Sequence, residues 1–339
     1  GGMLLPLHPV AAYAVVGLSA AGYAPAKYGL VTELVPPHQL VAANGWIEVS
    51  VVSAALLGVT GGGILVSQIF LTRAAPAAEI LGAGLYAPSI LLILLLYAVA
   101  SLLNWRIPDS GASYPPSPWH PLQLMKDFWK AHVTLWADAE GKLSLGVTTL
   151  FWGVSGNLRY IVLAWAGAAL GYGTTQASSL VGVVAIGTAV GAVVASVLMQ
   201  LDKATRVIPL GVAMGVLVIA MNAITNVWVA APFLMALGAI GGFLVVPMNA
   251  LLQHRGHNLM GAGRSIAVQN FNEQACILGL GAFYTALTGL GMSAFGAITI
   301  FGLVVAGTMA WIGRWHRRNC VQYRDEMERL LAIARSDSH

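Results

Sequence analysis

The sequence predicts an all-α integral membrane protein with about nine transmembrane helices, and three observations predict it. Of 339 residues, 58% are apolar and only 9% are charged, whereas a water-soluble domain carries about 25% charged residues. Apolar stretches of roughly 20 residues, the length that crosses a bilayer core at 1.5 Å per residue, recur along the whole chain. Thirty-nine glycines are spread through those stretches, as in membrane helices whose backbones approach closely.

The expected spans cover residues 8–31, 40–68, 84–104, 143–170, 174–201, 205–222, 227–253, 262–288 and 292–314. Between the third and fourth, residues 105–142 change character. Pro108, Pro115, Pro116, Pro118 and Pro121 predict an extended linker. Leu124 to Ala139 follows, with Leu124, Phe128, Leu135 and Trp136 near one helical face and Lys126, Lys130 and Asp138 elsewhere. Two readings fit that segment: an amphipathic helix on the membrane surface, or a short helix packed on the protein's own loops. The expected domains are therefore a three-helix unit (1–104), a linker (105–142), a six-helix bundle (143–314) and a tail (315–339).

Charge orients the spans. With alternating crossings, Arg106, Lys126, Lys130, Lys142, Lys203, Arg206, Arg255, Arg264 and the tail from Arg314 fall on one side, and Arg73 alone falls opposite. Cytoplasmic loops retain Lys and Arg, so the C-terminus is expected in the cytoplasm. Nine spans then place residue 1 outside. Residues 1–7 lack the basic start and cleavage site of a signal peptide. If the intact architecture is six helices, a linker and six helices, three are expected to be missing from the front.

An internal repeat supports that division. GYAPAKYGL (22–30) parallels GGFLVVPMNALL (241–252), each with a proline followed two residues later by a polar side chain. VAANGWIEVSVVSAALLG (41–58) parallels GAGRSIAVQNFNEQACILGLG (261–281) in its small-residue ends and polar middle. Parallel repeats of this kind form the two halves of a major facilitator protein, with substrate bound at their interface near the midplane.

Ionisable residues inside spans mark candidate sites, because a central Arg costs about 2.5 to 3.5 kcal/mol on insertion scales. Arg159 lies near the middle of the fourth span, so it needs an anionic ligand, a water-filled cavity or a carboxylate on a neighbouring helix. Glu273 lies in a polar cluster with Gln269, Asn270, Asn272 and Gln274, and three- and four-residue spacing predicts Gln269, Asn272 and Glu273 on one face. Such a stripe serves either a ligand or interhelical hydrogen bonds. Glu48, one turn after Asn44, repeats the pattern and equally fits a carboxylate facing a cytoplasmic vestibule. Lys27 is either snorkelling to the headgroups or lining a cavity where Pro25 and Gly29 interrupt the helix. Asn249, two residues past Pro247, is its counterpart in the other half.

Other signals point to packing or solvent. Gly187 and Gly191 form a GxxxG spacing, and Gly58, Gly61, Gly62 and Gly63 form a small-residue patch; both spacings serve helix packing more often than sites. His254 and His257 flank Arg255 in what reads as a short, solvated basic loop. Cys276 and Cys320 form neither a disulfide framework nor a metal spacing, and no cofactor or metal is expected. The only Gly-Lys pair, Gly141-Lys142, is followed by Leu143, so the phosphate loop of a primary pump is not formed. No histidine has an Asp five positions after it, as the common membrane acyltransferase pattern needs. The chain is expected not to be an enzyme.

AAGYAPAKYGLVTELVPPHQLVAANGWIE (20–48), SLGVTTLFWGVSGNLRY (144–160) and GGFLVVPMNALLQHRGHNLMGAGRSIAVQNFNE (241–273) resemble the lysophospholipid transporters of the major facilitator superfamily over nearly the whole chain. The resemblance implies twelve helices, of which this chain holds the fourth to the twelfth. On that resemblance the first three helices, with the acidic-basic loop between the second and third, are expected to be missing. It implies movement of lysophospholipid, chiefly lysophosphatidylethanolamine, to the inner leaflet of the bacterial inner membrane. There an acyltransferase and acyl-carrier-protein synthetase would reacylate it. For such a substrate Arg159 and Lys27 are expected to hold the phosphate and Glu273 and Glu48 to meet the amine or the countercharge of Arg159, with Gln269, Asn270 and Asn249 as further substrate-binding candidates. The alternative is a major facilitator exporter or symporter of a small soluble solute, with Glu273 carrying a proton.

Overall fold

In a computed structural model the described residues are 9–80, 82, 84–113 and 120–322, and their regular structure is entirely helical. Linker residues Pro115, Pro116 and Pro118 and the tail beyond Gln322 lie outside them. The helices are α1 (Pro9–Leu34), α2 (Leu40–Leu65), α3 (Gln68–Ile80), α4 (Ala87–Asn104), α5 (Pro121–Ala137), α6 (Ala139–Leu170), α7 (Thr174–Leu198), α8 (Ile208–Ala220), α9 (Val227–Met260), α10 (Ala262–Gly289) and α11 (Ala294–Gln322). Every expected span has its helix. Six segments are long and apolar enough to cross a bilayer outright: 37–65, 87–104, 174–198, 201–223, 227–260 and 294–320. The other three long helices, α1, α6 and α10, are those carrying Lys27, Arg159 and Glu273.

Local chemistry sets the boundaries. Pro36 is extended ahead of Pro37, which separates α1 from α2 by one 3-10 turn. Asp138 caps α6 by accepting from Gly141 N at 2.8 Å. Gly171, at φ 67°, closes α6 in the left-handed conformation glycine tolerates. Asn226 caps α9 through Trp228 N at 2.9 Å.

Three differences from the sequence reading have physical causes. The connection after the second span contains α3, which at 13 residues is too short to cross a membrane. The basic loop at 254–257 is helical: α9 continues to Met260 and stops at Gly261, φ 86°, so His254 is buried rather than solvated. Pro25 does not interrupt α1, which continues to Leu34. Gly29 instead faces Gly263, and a Cβ there would meet Gly263 N at 3.4 Å, an ordinary van der Waals contact.

The chain divides into two compact units, residues 1–24 with 53–116 and residues 25–52 with 117–339. In the first, Ser89 of α4 donates to Leu65 O of α2 at 2.8 Å. Leu91 to Tyr97 of α4 are exposed all round the helix. In the second, α6 to α11 enclose an apolar core around Trp165, Leu244 and Phe301. Helices α7 and α9 meet through small residues: a Cβ on Gly191 would lie 1.9 Å from Ala239 O, and one on Gly242 would lie 2.1 Å from Thr188 O. The GxxxG spacing is thus a packing seam. Helix α5 packs Ala131 and Leu135 against Leu145, Leu252 and Val268. Phe128 and Trp136 join this contact, whereas Leu124 stays exposed with Leu122, Met125 and Trp129.

Candidate functional site

The second unit places three pairs of polar residues on three helices, each pair at i, i+4 and so on one face. They are Asn44 and Glu48 on α2, Asn249 and Gln253 on α9, and Gln269 and Glu273 on α10. All six side chains are buried. Asn44 and Gln253 exchange amide hydrogen bonds, Asn44 Nδ2 donating at 2.7 Å and Gln253 Nε2 donating back at 3.0 Å. Gln269 Nε2 donates to Asn249 Oδ1 at 3.0 Å and to Glu273 Oε1 at 2.7 Å. Its own Oε1 is a buried acceptor without a hydrogen-bond partner, which in a low-dielectric interior costs about 1–3 kcal/mol.

Lys27 joins this group from α1. Its ammonium lies 5.2 Å from the Tyr28 ring centroid and acts electrostatically on Glu48, which acts in turn on Glu273. Sequence reasoning singled out Lys27, Glu48, Gln269, Glu273 and Asn249 as candidates, and the fold brings these side chains together. It missed two members. Gln253 was hidden because it sits at the expected end of its span. Tyr28 adjoins Lys27 but has no spacing pattern of its own.

Two expectations change. Asn272 turns away from Gln269 and Glu273, taking a hydrogen bond from Trp136 Nε1 of α5 at 3.3 Å. Consecutive helix residues are separated by about 100°, so Asn272 and Glu273 serve different neighbours. Asn270 is half-buried beside Gln269. Arg159 stands apart: it is exposed, its guanidinium lies over the Tyr160 ring at 4.5 Å and bonds the Tyr160 hydroxyl, and among the described residues no carboxylate pairs with it. Helices α6 and α10 run in the same sense, with Gly153 against Cys276 and Asn157 Nδ2 donating to Ile277 O at 2.9 Å. Glu273 is therefore level with about residue 150, and Arg159 lies about 13 Å farther along at 1.5 Å per residue.

A second ionisable cluster lies at the start of α6, ahead of its first apolar span residue. Arg255 grips Asp138 with two bonds, Nε at 3.0 Å and Nη2 at 2.6 Å. Burial pushes the Asp138 carboxyl up, but bonds from Arg255 and from the Gly141 and Glu140 backbone outweigh it and hold it below the usual carboxylate range. Glu140 is buried with Oε1 unpartnered. Burial pushes its pKa up to about 7, Arg255 draws it down and Asp138 raises it.

Comparison with known proteins adds the family. The sequence profile of the Major Facilitator Superfamily matches residues 2–280. The chain is 38% identical over 287 residues to the lysophospholipid transporter LplT of Pectobacterium carotovorum subsp. carotovorum, covering 84% of this chain and 67% of that one. It is 36% identical to the lysophospholipid transporter LplT of Escherichia coli O9:H4 over 318 residues, covering 92% of this chain and 75% of that one. The protein of the same name from Shigella dysenteriae serotype 1 is 36% identical over 320 residues.

Proposed function

Because the chain belongs to the lysophospholipid transporter family of the major facilitator superfamily, we propose that it is a secondary transporter of lysophospholipid, chiefly lysophosphatidylethanolamine. It moves the lipid across the bacterial inner membrane to the inner leaflet and does no chemistry on it. An acyltransferase and acyl-carrier-protein synthetase then reacylates it. The end carrying Lys142, Arg206, Arg255, Arg264 and Arg314 faces the cytoplasm, and the C-terminus lies there. Residues 1–104 contribute three helices of one bundle, 105–142 the linker, 143–314 the second bundle and 315–339 the tail.

The substrate headgroup carries a phosphate and an ammonium. Lys27 meets the phosphate as a point charge. Glu273 and the free Oε1 of Gln269 accept from the ammonium, Glu48 adds its negative field, and Asn249 holds Gln269 in place. Asn270 offers an amide to the glycerol hydroxyl that a diacyl lipid lacks. Arg159 and the Glu273 group are too far apart for one headgroup to touch both, since about 13 Å separates them along α6 and α10. Arg159 therefore holds the phosphate at a separate, earlier station on the route inward.

The observation that carries this reading is Gln269, which uses its NH2 group on two side chains and keeps a buried oxygen without a partner. The test is inward movement of labelled lysophosphatidylethanolamine against diacyl phosphatidylethanolamine in proteoliposomes holding the full chain. Selective movement of the lyso form, lowered about ten-fold by Glu273→Gln as loss of one charged hydrogen bond requires, supports the assignment. Movement of neither lipid returns the protein to the soluble-solute alternative.

A further inference from the structure

Away from the polar pairs, helices α8 and α11 flank an open cavity of about 690 Å³. The two helices are tightly joined along most of their contact: a Cβ on Gly215 would lie 2.6 Å from Ala306 N, and one on Gly302 would lie 2.5 Å from Ile219. At Gly211 the Met309 side chain still fills the seam, 2.6 Å from where a Cβ would lie, and only in the last turn toward the basic residues does it loosen, a Cβ on Gly313 having 3.5 Å to Ile208. The cavity occupies this opening.

Its lining has two chemically distinct parts. At the mouth stand Arg206, Arg314 and Arg317, one from the 3-10 segment before α8 and two from α11. All three are exposed, and among the described residues none is paired with a carboxylate. Asp202 is the acidic residue of the same 3-10 segment. Farther in, Val212 and Val216 of α8 and Met309 of α11 form an apolar wall. Pro209, Val212 and Val216 recur at helical spacing, so the wall continues along one face of α8. Val216 is half-exposed, which opens the groove sideways at the height where lipid tails lie.

We propose that this groove is a binding site for an anionic diacyl phospholipid, distinct from the transport site. The guanidinium groups take the phosphate with paired hydrogen bonds, and an acyl chain lies along Val212 and Val216. Basic pockets between membrane helices suit anionic headgroups for this reason. A freely soluble anion would use the arginines but gain nothing from an apolar wall open to lipid.

The experiment places the full chain in phosphatidylcholine nanodiscs containing a photoreactive diacyl phosphatidylglycerol and maps the cross-links by peptide mass spectrometry. Labelling is expected on peptides containing Val212 to Val216 and Met309 to Arg317. Each basic side chain beside an anionic headgroup strengthens binding roughly five-fold, so the triple variant Arg206→Gln, Arg314→Gln, Arg317→Gln should weaken it on the order of a hundred-fold. The corresponding triple Arg→Lys variant should keep most of the labelling, which separates lost charge from lost folding. Equal labelling by a phosphatidylcholine probe, unchanged labelling in the Gln variant, or complete competition by inorganic phosphate would overturn the proposal.

Discussion

Two clusters in this protein each contain two carboxylates and one cation, and they are built in opposite ways. At the start of α6, Arg255 is locked to Asp138 by two short bonds while Asp138 also caps the helix. Between α1, α2 and α10, Lys27 makes no ion pair with Glu48 or Glu273 among the described residues and rests beside Tyr28. Glu273 instead takes a single amide hydrogen bond from Gln269. A bidentate pair at a helix terminus spends its hydrogen-bonding capacity on the protein. A cation held at a distance from carboxylates keeps that capacity for a charged headgroup. The first cluster fixes the joint between α6 and α9, and the second suits exchange of partners.

The largest expected effect comes from breaking the locked cluster. Arg255→Gln strands Asp138 and withdraws the favourable charge from Glu140, and removing one partner of a buried pair costs about 3–5 kcal/mol. Because Arg255 and Asp138 keep 17% and 13% of their side-chain surface exposed, the lower end applies, about 3 kcal/mol. Urea unfolding in mild detergent reads this directly. A variant as stable as the parent would show that the bond contributes no more than a surface contact.

Glu140 sharpens the same side of the comparison through pH. Its pKa in the folded protein, about 7, lies above the ordinary 4.5. Between those values the folded state holds a proton that the unfolded chain has released, so stability is highest at low pH and falls as pH rises through 7. The fall amounts to about 3 kcal/mol at 1.36 kcal/mol per unit. Glu140→Gln should remove that component, so the parent-minus-variant difference in stability between pH 4.5 and pH 8 isolates it from other carboxylates. A flat difference would mean that Glu140 is solvated or already paired.

The contrast between the clusters was only partly legible in the sequence. Spans could be read because apolar length is a local property, and i, i+4 pairs such as Gln269 and Glu273 could be read because a helix puts them on one face. What lies across a helix interface has no such local signature. Asn44 gives no indication that Gln253, 209 positions away, completes its hydrogen bonds. Asp138 reads only as a charge off the apolar face of its segment until the continuation of α9 brings Arg255 to it. Arg159 and Glu273 both read as intramembrane charges in need of partners, and only the contacts of Gly153 with Cys276 and of Asn157 with Ile277 show how far apart they stand. Helix α3 escaped because its 13 residues mix Arg73, Pro76 and Glu79 with apolar side chains below the length of a span.

The smallest effect on stability, and the one that tests the exchangeable cluster, belongs to Lys27. Its ammonium has an aromatic face for a neighbour and makes no ion pair among the described residues. Lys27→Gln should change unfolding stability by only about 1 kcal/mol, because it withdraws an attraction from Glu48 but breaks no ion pair or hydrogen bond among the described residues. Uptake of lysophosphatidylethanolamine should fall about ten-fold, the equivalent of about 1.4 kcal/mol of headgroup binding. Lys27→Arg should restore most of the uptake, because the phosphate needs a nearby positive charge and Arg keeps it. If Lys27→Gln instead loses as much stability as Arg255→Gln, Lys27 is a structural tie for Glu48 and the two clusters do the same job. If stability holds and uptake falls, the same set of charges serves the fold where it is locked and the substrate where it is left open.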